Sequence, residues 1–287
     1  MKSVVPVLSV LIVFVALWYA LAVVLNAPWA RDRAERAGTE LGFSELVADT
    51  WAQDKPLLPA PHQIAAEIWH TTAEMRITSK RSLVWHAWVT LSATFTGFAM
   101  GTLLGILLAV AIVHSRVMDL SVMPWIIASQ TVPILAIAPM IIVVLYNIGV
   151  QGLVAKAAIS AYLSFFPVVV GMVKGLRSPE RMQLDQLRTW SASRAQVFWK
   201  LRLPASMPYL FPSLKVAVAI ALVGAIIGEL PTGAQGGFGS RMLSGSYYGQ
   251  TLIIWSALIG AAVCAGALVG LIGLVQRLVL KRMGMAT

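Results

Sequence analysis

Apolar residues in this chain neither alternate with polar ones nor recur as a narrow helical stripe; they run on without interruption. Six such runs stand out, at 4–27, 86–112, 120–146, 152–173, 207–229 and 251–276. A hydrocarbon layer about 30 Å thick takes about 20 apolar residues of helix to cross, so each run predicts a spanning helix. Membrane β-strands would alternate with a period of two, and lipid tolerates only fully bonded backbones. The pattern predicts an all-α, polytopic membrane protein with six transmembrane helices. The first run, within "MKSVVPVLSVLIVFVALWYALAVVL", is too long for the core of a secretory signal and lacks a following small-residue cleavage site. That predicts a retained anchor helix over 1–27.

Segment 28–85 then reads as an external loop, and 86–287 as a core of five spanning helices with a connector at 174–206. The loop opens polar and closes on "PLLPAPHQIAAEIWHTTAEM". There Pro61, Ile64, Ala65, Ile68 and Trp69 predict a short amphipathic helix lying at the interface. Trp51, Trp69, Trp85 and Trp88 suit that depth. A solvated cap with no part in substrate handling is an equal reading of this segment.

Composition agrees with the pattern. Of 287 residues, 58% are hydrophobic and 12% charged, against about 45–50% and about 25% in soluble domains. The net charge of +10 does not form the continuous basic stripe that nucleic acid requires. It collects between the apolar runs, at Lys2, Arg116, Lys174, Arg177, Arg181, Arg188, Arg194, Lys200, Arg202, Arg277, Lys281 and Arg282. Under the positive-inside rule this predicts both termini in the cytoplasm. Cys264, the one cysteine, gives no disulfide framework and no thiol metal site.

The connector carries more than charge. "RSPERMQLDQLRTW" offers Ser178 as N-cap, Pro179 at the first helical position and Glu180 in the first turn, with Leu184 and Leu187 on one face. A second start follows, because Ser193 with Gln196 has the form of a capping box. Val197, Phe198 and Leu201 give this second helix an apolar face, and Leu203-Pro204 is expected to end it. Two short amphipathic helices meeting near Ser191 need something to bury against: headgroups, the bundle or another protein.

This stretch resembles the cytoplasmic signature of permease subunits of binding-protein-dependent ABC importers. That signature reads E-A-A, three residues, G, nine residues, I-x-L-P. Aligned on Leu203-Pro204, the chain has Leu201 at the isoleucine, Ser191 at the glycine and Asp185-Gln186-Leu187 at E-A-A. "QTVPILAIAPMIIVVLYNIG" and "FFPVVVGMVKGLRS" are similar to the nitrate/sulfonate/taurine-type branch, and the resemblance covers roughly residues 60–280. It implies a type I ABC importer permease fold in a bacterial inner membrane. It also implies an ATPase subunit dimer docked on Asp185, Ser191, Ala192, Arg194, Val197, Phe198, Leu201, Leu203 and Pro204. A second permease subunit, identical or related, and a periplasmic or lipid-anchored solute-binding protein complete the implied assembly. The chain would bind no cofactor itself, ATP and Mg being held by the partner ATPase. The implied cargo is a small polar solute: an organic anion, a sulfonate or a thiamine-precursor-like heterocycle.

Gly97, Gly101 and Gly105 on one face favour close helix packing over a pore. Pro133 and Pro139 interrupt the third run, which makes Gln130, Thr131 and Pro133 candidates for the solute pathway, with a buried structural hydrogen bond as the alternative. The glycine-rich stretch 228–250, with Glu229, Gln235 and Arg241, is expected to be external and flexible, as a gate or a rim for the binding protein. No P-loop, H-E-x-x-H or G-x-S-x-G occurs, so neither catalytic nor metal residues are assigned. An ion-coupled secondary transporter is the alternative, but such carriers place acids inside the membrane. Here Asp119, Glu180, Asp185 and Glu229 fall in loops or near span ends.

Overall fold

The computed structural model describes residues 4–39, 41–231 and 236–285. Its helices are α1 (Val4–Ala37), α2 (Phe43–Ala52), α3 (Pro61–Trp69), α4 (Leu83–His114), α5 (Arg116–Ser129), α6 (Ile134–Asn147), α7 (Leu153–Leu176) and α8 (Arg181–Thr189). They are followed by α9 (Arg194–Val197), α10 (Leu203–Glu229), α11 (Phe238–Tyr247) and α12 (Thr251–Arg282). π-Helical turns extend α3 over His70–Glu74 and join α9 to α10 over Phe198–Arg202. Among the described residues there is no strand. Five helical stretches are long and apolar enough to cross a bilayer, and α5 with α6 passes the same test as a pair bent by 103°.

The chain divides into two compact units, Met1–His86 with Ser240–Gly260, and Ala87–Gly239 with Ala261–Thr287. In the first, α1 runs ten residues past its predicted end, to Ala37. The stretch after the apolar run is made of good helix formers, and Asp32 pairs with Arg36 one turn on at 2.7 Å. The polar stretch that the sequence leaves without a role folds back on α1 as α2, with Leu46 packed on Ala27 and Ala30 and Arg33 paired with Asp49. Asn26, 1% exposed, pins the return. Its amide donates to the Leu58 carbonyl at 2.9 Å, and its oxygen accepts from the Leu57 N–H at 2.8 Å. α3 begins with Pro61 in its first turn and buries Ile64.

The second unit is organised around α7. Gly97, Gly101 and Gly105 of α4 stand against Ser160, Ser164 and Val168 of α7 in turn, so the two helices run parallel in constant register. Antiparallel α10 covers the other side, with Gly175 against Ser206 and Gly224 against Ser160. The Ser160 hydroxyl donates to the Ala221 carbonyl at 2.5 Å. Lipid-dwelling helices gain little from hydrophobic exclusion, and close backbone approach at small residues holds them together. The packing reading of the three α4 glycines holds.

Because α4 and α7 point the same way, the chain between them must cross back. That crossing is α5 with α6, and it is not the continuous span expected over 120–146. Each half has 14 residues, about 21 Å of helix, too short to cross alone. The helix stops where Pro133 removes a backbone donor, while Pro139 lies inside α6 without ending it. At the near end Asp119 pairs with Arg177 at 2.8 Å, setting the start of α5 beside the end of α7.

Candidate functional site

The connector forms the two helices the sequence predicts, with shifted caps. α8 starts at Arg181, its N-cap is Glu180, and the Glu180 N–H donates to Gln183 Oε1 at 3.1 Å. Ser178 instead donates to the Gly175 carbonyl at 2.7 Å and closes α7. Leu184 and Leu187 are half-buried, and the rest of α8 is exposed. Asp185 is among the exposed residues and pairs only along its own helix, with Arg188 at 2.8 Å. Such surface pairs hold a side chain weakly.

The bend falls at Ser191, the one non-glycine residue with positive φ among those described, at 53°. The Ser191 N–H reaches back to the Arg188 carbonyl at 2.9 Å and the Ala192 N–H to the Leu187 carbonyl at 3.0 Å. These two bonds make a Schellman closure with Ser191 in the left-handed position. α1, α6, α11 and α12 end with the same pair of bonds around Gly38, Gly149, Gly249 and Gly284. A β-carbon in this conformation is strained, which explains why the signature calls for glycine here. Ser191→Gly is expected to stabilise the connector by about 0.5–1 kcal/mol, read as slower proteolysis of the 181–197 segment.

Ser193 caps α9 as expected. Its hydroxyl accepts the Gln196 N–H at 3.3 Å, and its own N–H donates to Gln196 Oε1 at 2.8 Å. The expected stop at Leu203-Pro204 does not occur. The Leu203 N–H bonds to the Phe198 carbonyl five residues back, opening a π turn that makes room for the Pro204 ring, and the helix continues. One helical path of 36 residues therefore runs from Arg194 to Glu229.

Phe198 does not project outward. It is half-buried, lies 5.5 Å from the His114 ring and packs on the core of Ile112, Phe165 and Met172 with Leu203 and Met207. Val197 and Leu201 are likewise half-buried, and Arg194 is exposed. The large exposed apolar side chains of the connector are Met182, Trp190 and Trp199, at 75%, 68% and 65%. Sequence periodicity missed them because both tryptophans sit off the apolar faces of their helices.

At the far end of the path Glu229, expected at an external gate or binding-protein rim, is fully buried. The Thr90 hydroxyl donates to Glu229 Oε1 at 2.9 Å and itself accepts the Phe238 N–H at 2.9 Å. The Gly239 N–H donates to Glu229 Oε2 at 2.8 Å. Gly237, at φ 112°, lets the backbone pass where a β-carbon would overlap the carboxylate. Lys156, 8% exposed, donates to the Gly236 carbonyl at 3.3 Å and feels the Glu229 charge. Gly236, Phe238 and Gly239 are thus held by Lys156, Thr90 and Glu229, and the chain is helical from Phe238.

Arg241, the other residue expected at that rim, belongs to the first unit and is also buried. Its guanidinium donates to the Arg81 carbonyl at 2.7 Å and to Glu67 at 3.1 Å. Burial pushes its pKa down while Glu67 opposes the shift. Gln235 lies outside the described residues. Gln130, Thr131 and Pro133 form the joint between α5 and α6, with Thr131 and Pro133 exposed. The Tyr162 hydroxyl fixes the end of α5 through the Ser129 carbonyl at 2.6 Å.

Parallel and antiparallel helices packed through glycines, a broken span and an exposed two-helix connector make this a multi-pass membrane protein. The chain belongs to the family of binding-protein-dependent transport system inner membrane components, which it matches over residues 101–285. It is 29% identical to a probable ABC transporter permease protein of Haemophilus influenzae, over 77% of this chain and 85% of that one. It is 32% identical to the formylaminopyrimidine transport permease ThiX of Halalkalibacterium halodurans, over 64% and 68%. The riboflavin transport system permease RibX of Chloroflexus aurantiacus is 28% identical, over 78% and 80%.

Proposed function

We propose that this chain is one of two membrane subunits of an ATP-driven importer. Solute would arrive from a binding protein at the Glu229 end and leave at the connector end. The observation that carries this reading is the single helical path from Arg194 to Glu229. It is about 54 Å long, with Trp199 exposed at one end and a buried lock at the other. An ATPase dimer seated on Met182, Trp190 and Trp199, with Asp185 and Arg194 as charged contacts, would tilt this path as it binds and hydrolyses Mg–ATP. The tilt would act on the lock at Thr90, Glu229 and Gly239, and on the α5–α6 joint.

The joint supplies the pathway in this reading. Unwound backbone within a span is tolerated where it lines a cavity, and it presents polar groups to solute there. Gln130, Thr131 and Pro133 stand at that point. Two relatives are named for a pyrimidine and for riboflavin, so the cargo class favoured is a nitrogen heterocycle. In this reading the basic connector lies in the cytoplasm, and both termini lie there with it.

Proteoliposomes holding this permease with its ATPase, supplied with binding protein outside and ATP inside, provide the test. ATP-dependent uptake of a formylaminopyrimidine in preference to an alkanesulfonate is the expected result. Uptake driven by a proton or sodium gradient without ATP would overturn the reading.

A further inference from the structure

Lys215 lies midway along α10, within a spanning stretch. Charged side chains inside spans are costly and mark a functional contact unless they are paired. Lys215 leans across α12 at Gly273. A β-carbon on Gly273 would stand 3.6 Å from Lys215 Cε and 3.7 Å from Nζ, so the missing side chain is what seats the lysine. Arg277 follows one turn further along α12, about 6 Å away along the axis. The two cations share an open groove of about 680 Å³, floored by Ala267, Gly270, Gly273 and Leu274. Among the described residues neither side chain has a hydrogen-bond or ion-pair partner.

We infer that this groove is an anion site, in which Lys215 and Arg277 together hold a phosphate- or sulfonate-type oxyanion attached to an apolar body. Two donors one helical turn apart can each take a different oxygen of one tetrahedral group, and such charge-assisted bonds are the strong ones. The apolar floor suits a chain or ring beside the charged head. The groove lies towards the end of α12 that carries Lys281 and Arg282. Basic pockets between spanning helices at that level hold anionic headgroups. The same chemistry would serve a soluble oxyanion, and the two sources are separable.

The full chain, purified and delipidated, is titrated with phosphatidylglycerol and with phosphatidylcholine, and retained lipid is counted by native mass spectrometry. Each cation near a headgroup is worth about fivefold in affinity, so the pair predicts a preference for phosphatidylglycerol of about thirtyfold. Lys215→Gln and Arg277→Gln should each reduce it to about fivefold, and Lys215→Arg should keep it. Arg277 is exposed, so its variant leaves the packing intact. In phosphatidylcholine alone, inorganic phosphate is compared with chloride at equal ionic strength through the unfolding midpoint. A rise with phosphate that disappears in Arg277→Gln, without a lipid preference, assigns the site to a soluble oxyanion. No effect of either probe, or a phosphatidylglycerol preference that survives both glutamine variants, overturns the inference.

Discussion

Glu229→Ala is expected to destabilise the protein by about 3–5 kcal/mol, the usual cost of removing one partner from a buried charge network. The substitution removes the negative charge that the buried Lys156 ammonium feels, and it removes the acceptor of the Gly239 N–H and the Thr90 hydroxyl. Glu229→Gln keeps an acceptor and should lose less. Lys156→Met on its own leaves the carboxylate buried without its counter-charge, so it too should destabilise. Combining Lys156→Met with Glu229→Ala should recover part of the loss, because no unpaired charge then remains inside. The unfolding midpoints of the four variants in one detergent make the comparison. Additive losses in the double variant would show that the two charges do not support each other.

Gly97→Leu should prevent stable accumulation in the membrane. A β-carbon at this position would already stand 2.5 Å from the Ala157 carbonyl oxygen and overlap Ser160, which also touches Gly224 of α10. Both obstacles belong to the α7 helix itself, so no rotamer relieves them. Gly97→Ala alone should cost about 1–3 kcal/mol by overpacking, and leucine more. Gly266→Ala provides the contrast, because the subunit leaves open space there, and a change near zero is expected. Equal loss at both sites would contradict the three-helix packing around Ser160.

How much the sequence discloses depends on the scale of the feature. Long apolar runs announce their spans because lipid leaves the backbone no other option, and α4, α7 and α12 lie where the runs place them. The α5–α6 break is foreshadowed by Pro133, but proline alone does not separate a kink from a turn; Pro139 sits inside α6 without ending it. The π turn at Phe198–Arg202 could not be foreseen, since it depends on how Pro204 is absorbed. The burial of Glu229 is hidden for a different reason. An acid followed by Leu-Pro and several glycines reads as an exposed loop, and only the return of Phe238 and Gly239 over Thr90 buries it. Lys215 lies inside a span, where the charge balance of the loops carries no information about it. In the connector, helical faces were legible, but which face meets the bundle was not. Phe198 turned inward to His114, and Trp190 and Trp199 were left outside.

That last distinction allows the central claim to be tested directly. The tagged permease is purified gently from its native membrane, and the ATPase subunit in the eluate is measured for wild type and for a variant carrying Trp190→Asp and Trp199→Asp. Both tryptophans are exposed, so the permease itself should keep its unfolding midpoint. The account predicts that the ATPase accompanies wild type and is lost from the double variant by at least about tenfold, the fall expected when central aromatic contacts of an interface are removed. Undiminished ATPase in the double variant, or none with an intact wild-type permease, would contradict it.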